Sequence, residues 1–178
     1  MSRLLFCAAF SMAATAAMAA QIAPPKLGRP ATPDDIAKAD ISIPPDGKNL
    51  PAGSGSVAQG AMVFQQKCAV CHGANAEGTP SGDRLVGGIG TLNTPNPIKT
   101  VGSYWPYATT VFDYIRRAMP ITNPQSLQND EVYAVTAYIL SLDNIVPKDA
   151  VLDAQSLPKV QMPNRAGFVN WEPRLIRP

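Results

Sequence analysis

The sequence predicts a small all-α domain with an irregular extension at each end, and three observations carry that prediction. Apolar residues recur at helical spacing in three separate stretches, beginning near residues 57, 109 and 130. No stretch alternates apolar and polar residues in the way a half-buried strand does. Between the first two helical stretches lies Cys68-Ala69-Val70-Cys71-His72, and His72 is the only histidine of the chain.

Taken in order, residues 1–19 carry one cation, Arg3, then an apolar run from Leu4 to Ala17, then Ala17-Met18-Ala19. That layout fits a signal peptide cleaved near Ala19 and hence an exported, periplasmic protein. The other reading, a retained membrane anchor, asks a short apolar run to span a bilayer. Cys7 lies inside this leader and leaves with it. The mature chain then keeps only Cys68 and Cys71, so it has neither a disulfide framework nor a spare thiol.

Residues 20–55 read as an extended arm, punctuated by Pro24, Pro25, Pro30, Pro33, Pro44, Pro45 and Pro51. A short helix fits Thr32 to Lys38, with Thr32 as cap and Pro33 in the first helical position. A longer helix is expected from Val57 to Lys67, where Gly60, Phe64 and Cys68 share one face, with Met62 read as a core residue. The next runs from Thr109 to Ala118, with threonines at its start and Arg116 and Arg117 at its carboxyl end, and stops at Met119-Pro120. The last spans Asp130 to Leu142 with an apolar stripe of Val132, Val135, Ile139 and Leu142.

Gly87-Gly88-Ile89-Gly90 lacks the preceding strand and following helix of a phosphate loop, so the region between His72 and Thr109 reads as a covering loop. The core domain is then 56–145, a size at which a helical domain needs a staple. The tail, 146–178, is irregular but carries Val151, Leu152, Leu157, Val160, Phe168 and Trp171, too apolar for a solvated segment. It is expected to pack on the core or on a partner.

C-x-x-C-H is the signature of covalent c-type haem attachment. The two thiols add across the haem vinyl groups and the adjacent imidazole is delivered to one face of the iron. A redox dithiol or half a zinc site also contains CxxC, but zinc needs further Cys or His ligands and the chain has none. One haem c is therefore expected, and it supplies the staple. Export and haem attachment support each other, since attachment takes place outside the cytoplasmic membrane.

With one histidine and no spare cysteine, the second axial ligand falls to a thioether. Met119, at a helix end, is preferred over Met162, and an open or lysine-bound iron is the remaining alternative. His72/Met119 ligation saturates the iron and suits it to carrying electrons rather than binding substrate. Tyr104 and Trp105 either donate hydrogen bonds to a haem propionate or pack beside the haem. His72 needs an acceptor for its second ring nitrogen, and a backbone carbonyl between Asp83 and Leu85 is expected to provide it. With 15 Lys and Arg against 13 Asp and Glu, the net charge of +2 gives no case for nucleic acid or an anionic membrane surface.

These residues resemble class I cytochromes c: a helix with Gly60 and Phe64, the run Cys68 to His72, Met119, and a final helix bearing Tyr138. The resemblance implies a class I cytochrome c fold in which the first and last helices cross, with the glycine and the two aromatics at the contact. Asp83 stands where many members have proline, two residues before the leucine corresponding to Leu85.

A narrower resemblance rests on the runs LGRPATPDDIAKADISIPPDGKNLPAGSGSVAQG, DRLVGGIGTL, TVGSYWPYATTVFDYIRRAMP, DEVYAVTAYIL and KVQMPNRAGFV. They are similar to the cytochrome subunits of bacterial sulfite dehydrogenases and of the sulfane dehydrogenase of the sulfur-oxidising system. That similarity implies a molybdenum-containing dehydrogenase subunit as electron donor, a downstream cytochrome or oxidase as acceptor, and a role as electron-transfer subunit rather than enzyme. The single C-x-x-C-H departs from the diheme sulfane dehydrogenase cytochrome. The competing readings are a thiosulfate-oxidising or peroxidatic haem enzyme with a labile sixth ligand, and a freely diffusing electron shuttle.

Overall fold

The computed structural model describes residues 27–169. The expected leader over 1–19 with Cys7, the arm residues Pro24 and Pro25, and Trp171, Glu172, Arg174 and Arg177 of the tail lie outside the described residues. The described residues fall into two units, 27–38 and 39–169.

In the first unit, helix α1 (Pro33–Ala39) is held by its own start. The Asp35 carboxylate pairs with Arg29 at 2.6 Å and accepts from the Thr32 amide and hydroxyl, while the Thr32 hydroxyl accepts from the Asp35 amide. Arg29, and then Thr32, hold the Asp35 carboxyl well below the usual carboxylate range. The helix buries none of its residues.

The second unit is built on α2 (Val57–Lys67), α5 (Ala108–Ala118) and α6 (Asn129–Leu142), with single turns α3 (Ala69–His72) and α4 (Val101–Tyr104) between them. Ser56 starts α2 by a reciprocal cap: its hydroxyl accepts from the Gln59 amide, and the Gln59 side chain accepts from the Ser56 amide at 2.9 Å. Val57, Gly60 and Phe64 form the buried face. Met62, expected in the core, is 60 % exposed. Two residues from both Gly60 and Phe64, it projects from the far side of the helix.

Helices α2 and α6 cross with almost no side chain between them. A β-carbon on Gly60 would lie 1.9 Å from the Ala134 carbonyl oxygen, and the Phe64 and Tyr138 rings meet at 5.3 Å. Gln128 and Glu131 cap the start of α6, whose residues Val132 to Ala137 are all buried. The Phe112 and Tyr133 rings, 4.5 Å apart, join α5 to α6. The Tyr133 hydroxyl donates to the Pro51 carbonyl at 2.9 Å, and burial pushes its pKa up to about 12.

The threonines expected to cap α5 do not do so. Tyr107 is the cap residue, and the hydroxyls of Thr109 and Thr110 donate to the Pro45 and Tyr107 carbonyls at 3.1 and 2.9 Å. The chain enters extended at Tyr107, so the helix begins one residue earlier and both threonines lie inside its first turn.

Strand structure, absent from the sequence pattern, appears as one antiparallel pair, β1 (Ser54–Ser56) with β2 (Val151–Asp153), in the register Gly55 to Leu152. Three residues are too few to show alternation. Gly55 lets the pair lie on α6, since a β-carbon there would meet the Ala134 nitrogen at 2.2 Å.

From β2 onward the tail packs on the core: Leu152, Leu157 and Met162 are buried, whereas Phe168 is 52 % exposed. The second half of the arm also packs. Ile43 is buried, and its amide donates to the buried Asp113 of α5 at 2.9 Å.

Candidate functional site

Helix α2 ends at Cys68, whose amide still donates to the Phe64 carbonyl at 2.9 Å. The Cys68 carbonyl then accepts from the amides of Cys71 and His72, at 3.1 and 3.0 Å, and a new turn begins. The three-residue step between the two cysteines places their thiols on one side of that turn. Both are free thiols and partly buried, and burial pushes the Cys68 thiol up to about 11.

Gly73, at φ +82°, reverses the chain where a β-carbon would strike the Glu77 carboxylate at 2.5 Å. The segment that returns is tied to the turn it left. The Gly78 amide donates to the His72 carbonyl at 2.7 Å, and the Thr79 hydroxyl donates to the Cys71 carbonyl. His72 Nδ1 lies 2.7 Å from the carbonyl oxygen of Asp83. A carbonyl only accepts, so Nδ1 carries the proton and Nε2 keeps a free lone pair. The acceptor thus falls at the first residue of the expected stretch. Aspartate serves where proline is common because the bond uses the main chain alone.

Met119 is the residue at which α5 stops. Its amide donates to Ile115 at 3.0 Å, its backbone is extended, and its partly buried side chain packs against the core together with Cys68, Leu85, Val86 and Trp105. Met162 is sealed in the core at 3 % exposure. Met62 lies on the outer face of α2. Of the three thioethers among the described residues, only that of Met119 is both anchored at a helix end and partly open.

Tyr104 and Trp105 lead into α5 and point into aromatic contacts: Tyr104 edge-on to Phe168 at 5.1 Å, Trp105 edge-on to Tyr114 at 5.6 Å. Among the described residues neither the Tyr104 hydroxyl nor the Trp105 indole nitrogen makes a hydrogen bond. The tail clasps this segment, with Asn164 Nδ2 donating to the Tyr104 carbonyl at 2.7 Å and Arg165 over the Tyr107 ring at 5.1 Å. No local spacing signals that clasp, which joins residues 60 positions apart. A findable signal was Thr100-x-x-Ser103, a reciprocal cap at α4.

Two free thiols one turn apart, an imidazole with only Nε2 left to donate, and a half-open thioether amid partly buried apolar side chains form a donor set that fits a covalently held haem. Among the described residues no cluster of three or more His, Cys, Asp or Glu offers a different metal site. The family model for cytochrome c matches residues 57–143, and a chain of the sulfane dehydrogenase SoxCD from Paracoccus pantotrophus is 44 % identical, with a TM-score of 0.76 over 86 % of this chain and 76 % of that one. The chain belongs to the cytochrome c family. Membership implies covalently bound haem c and electron transfer, and the small helical fold with one short strand pair agrees with a class I cytochrome c. No curated protein sequence matches this cytochrome.

Proposed function

We propose that this cytochrome is a periplasmic, single-haem electron-transfer subunit that takes electrons from a molybdenum-containing sulfane or sulfite dehydrogenase and passes them to a downstream cytochrome or oxidase. The observation that carries this reading is the 44 % identity to a chain of a sulfane dehydrogenase, sustained over 86 % of the sequence. The single Cys68-to-His72 run supports one haem. The apolar, small-residue leader supports export, and among the described residues no helix is long and apolar enough to cross a membrane.

In this reading Cys68 and Cys71 would hold the haem through thioether bonds, and His72 Nε2 and the Met119 sulfur would be the protein's two donors to its iron. Bound there, a haem supplies a one-electron Fe(III)/Fe(II) couple. The Asp83 carbonyl fixes the tautomer and orientation of His72 and raises its basicity. Met119, fixed by the end of α5, would supply the second donor and so keep substrate from the iron. A sulfur and a nitrogen donor together would favour the reduced state relative to two nitrogens, as suits an electron acceptor.

The test is to mix the purified haem protein with candidate molybdenum dehydrogenases and sulfite or thiosulfate and to follow haem reduction. Substrate-dependent reduction by one of them, and copurification with it, is the expected result. No reduction by any of them sinks the sulfur assignment.

A further inference from the structure

Asp143, the residue that caps the carboxyl end of α6, breaks two local rules. A carboxylate at a helix carboxyl end faces the negative pole of the helix dipole. Its Oδ2 is also buried with no hydrogen-bond partner among the described residues, a costly state for a carboxylate oxygen. A residue retained against both costs calls for a compensating role.

Its surroundings supply one. Oδ1 accepts from the Gly87 amide at 2.8 Å. Oδ2 faces Gly102 so closely that a β-carbon there would lie 2.0 Å away, so Gly102 presents a Cα–H to it. One carboxylate therefore grips both ends of the loop 87–102. The grip is reinforced by the Thr100 hydroxyl, which donates to the Gly87 carbonyl at 2.7 Å, and by the Val101 amide, which donates to the Leu85 carbonyl at 3.0 Å. Two residues before Leu85 is Asp83, whose carbonyl accepts from His72.

We infer that Asp143 is a positioning residue for the axial histidine: through Gly87 and Gly102 it fixes the segment 83–87 and so holds the Asp83 carbonyl on His72 Nδ1. This rests on the haem reading above. Loosening the grip lengthens the histidine's hydrogen bond, makes the imidazole a weaker donor to iron and raises the reduction potential.

The experiment uses the full haem-loaded chain and two variants. Gly102→Ala displaces the Asp143 side chain without changing any charge, and Asp143→Asn places an amide against Gly102. By proton NMR the His72 Nδ1 proton should exchange with solvent about tenfold faster in either variant, as follows from losing roughly the net worth of one hydrogen bond. In Gly102→Ala the midpoint potential should also rise, which loss of packing at the end of α6 alone would not produce. In the unaltered protein the Gly87 amide and the His72 Nδ1 proton should open together under native-state exchange, a readout that stands if the variants do not fold. Wild-type exchange of the Nδ1 proton in a folded variant, or independent opening of the two protons, overturns the inference alone. A wild-type chain with no covalent haem overturns it together with the haem reading.

Discussion

Gly60 and Ala134 meet backbone to backbone: a β-carbon on Gly60 would sit 1.9 Å from the Ala134 carbonyl oxygen, far inside contact distance. That oxygen belongs to a buried helix and cannot swing away. Gly60→Ala must instead separate α2 from α6, and α2 carries Cys68 at its end. The expected cost is about 3 kcal/mol, the upper range for overpacking, which lowers Tm by more than about 10 °C in a domain of this size. Thermal unfolding followed by circular dichroism checks it, with the exposed Gln66→Ala as a control that should stay near the wild type.

How much of this was legible in sequence depends on whether the information is local. Helix α2 was placed at its observed bounds because Gly60, Phe64 and Cys68 mark one face, and α6 within one residue because its polar start and apolar stripe are sharp. The start of α5 shifted because a backbone entering extended at Tyr107 decided it, and not the threonines. The acceptor for His72 could be placed near Asp83 because any carbonyl at that distance along the chain serves. The β1–β2 pair, the exposure of Met62, the clasp of Asn164 on Tyr104 and the grip of Asp143 on Gly87 were not legible. Each depends on which distant segment arrives, and no local spacing encodes that.

Asp113 binds the arm to the helix that ends at Met119. Its carboxylate accepts from the buried Ile43 amide at 2.9 Å and pairs with Arg117 one turn on. Asp113→Ala orphans the Ile43 amide and should cost roughly 1–3 kcal/mol. Asp113→Asn keeps an acceptor oxygen for Ile43 and loses mainly an ion pair with a half-exposed arginine, worth about 1 kcal/mol at most. Chemical denaturation ranks the two, and hydrogen exchange at the Ile43 amide should be fast in Asp113→Ala and near wild type in Asp113→Asn.

Lys67 and Glu131 join α2 to α6 at 2.6 Å, both partly exposed. The Lys67 ammonium does most to lower the pKa of the Glu131 carboxyl, burial opposes it by less, and the Gln128 amide adds a further small lowering. A carboxyl with a lowered folded pKa contributes stability that is fully present above its unfolded value, about 4.3. That contribution is lost as pH falls through the folded value. Lys67→Met should therefore reduce the difference in unfolding free energy between pH 7 and pH 3 by less than about 1 kcal/mol, given screening at the surface. Paired denaturation curves at the two pH values measure it. An undiminished difference would show that the pair contributes nothing.

Met119 and Met162 separate coordination from packing. Met162 is buried at 3 % exposure among core side chains, whereas Met119 is partly open at the end of α5. Met162→Ala should destabilise the fold by about 2–5 kcal/mol, as for other large-to-small core changes. It should leave the far-red thioether-to-iron band of the ferric protein unchanged. Met119→Ala should abolish that band at a smaller cost in stability and open the iron to rapid binding of cyanide at neutral pH, which the unaltered protein should resist. Absorption spectra of the two variants, recorded with and without cyanide, decide between the assignments. Loss of the band in Met162→Ala alone would move the ligand to the tail. Rapid cyanide binding by the unaltered protein would instead indicate a labile sixth position, as a haem enzyme requires.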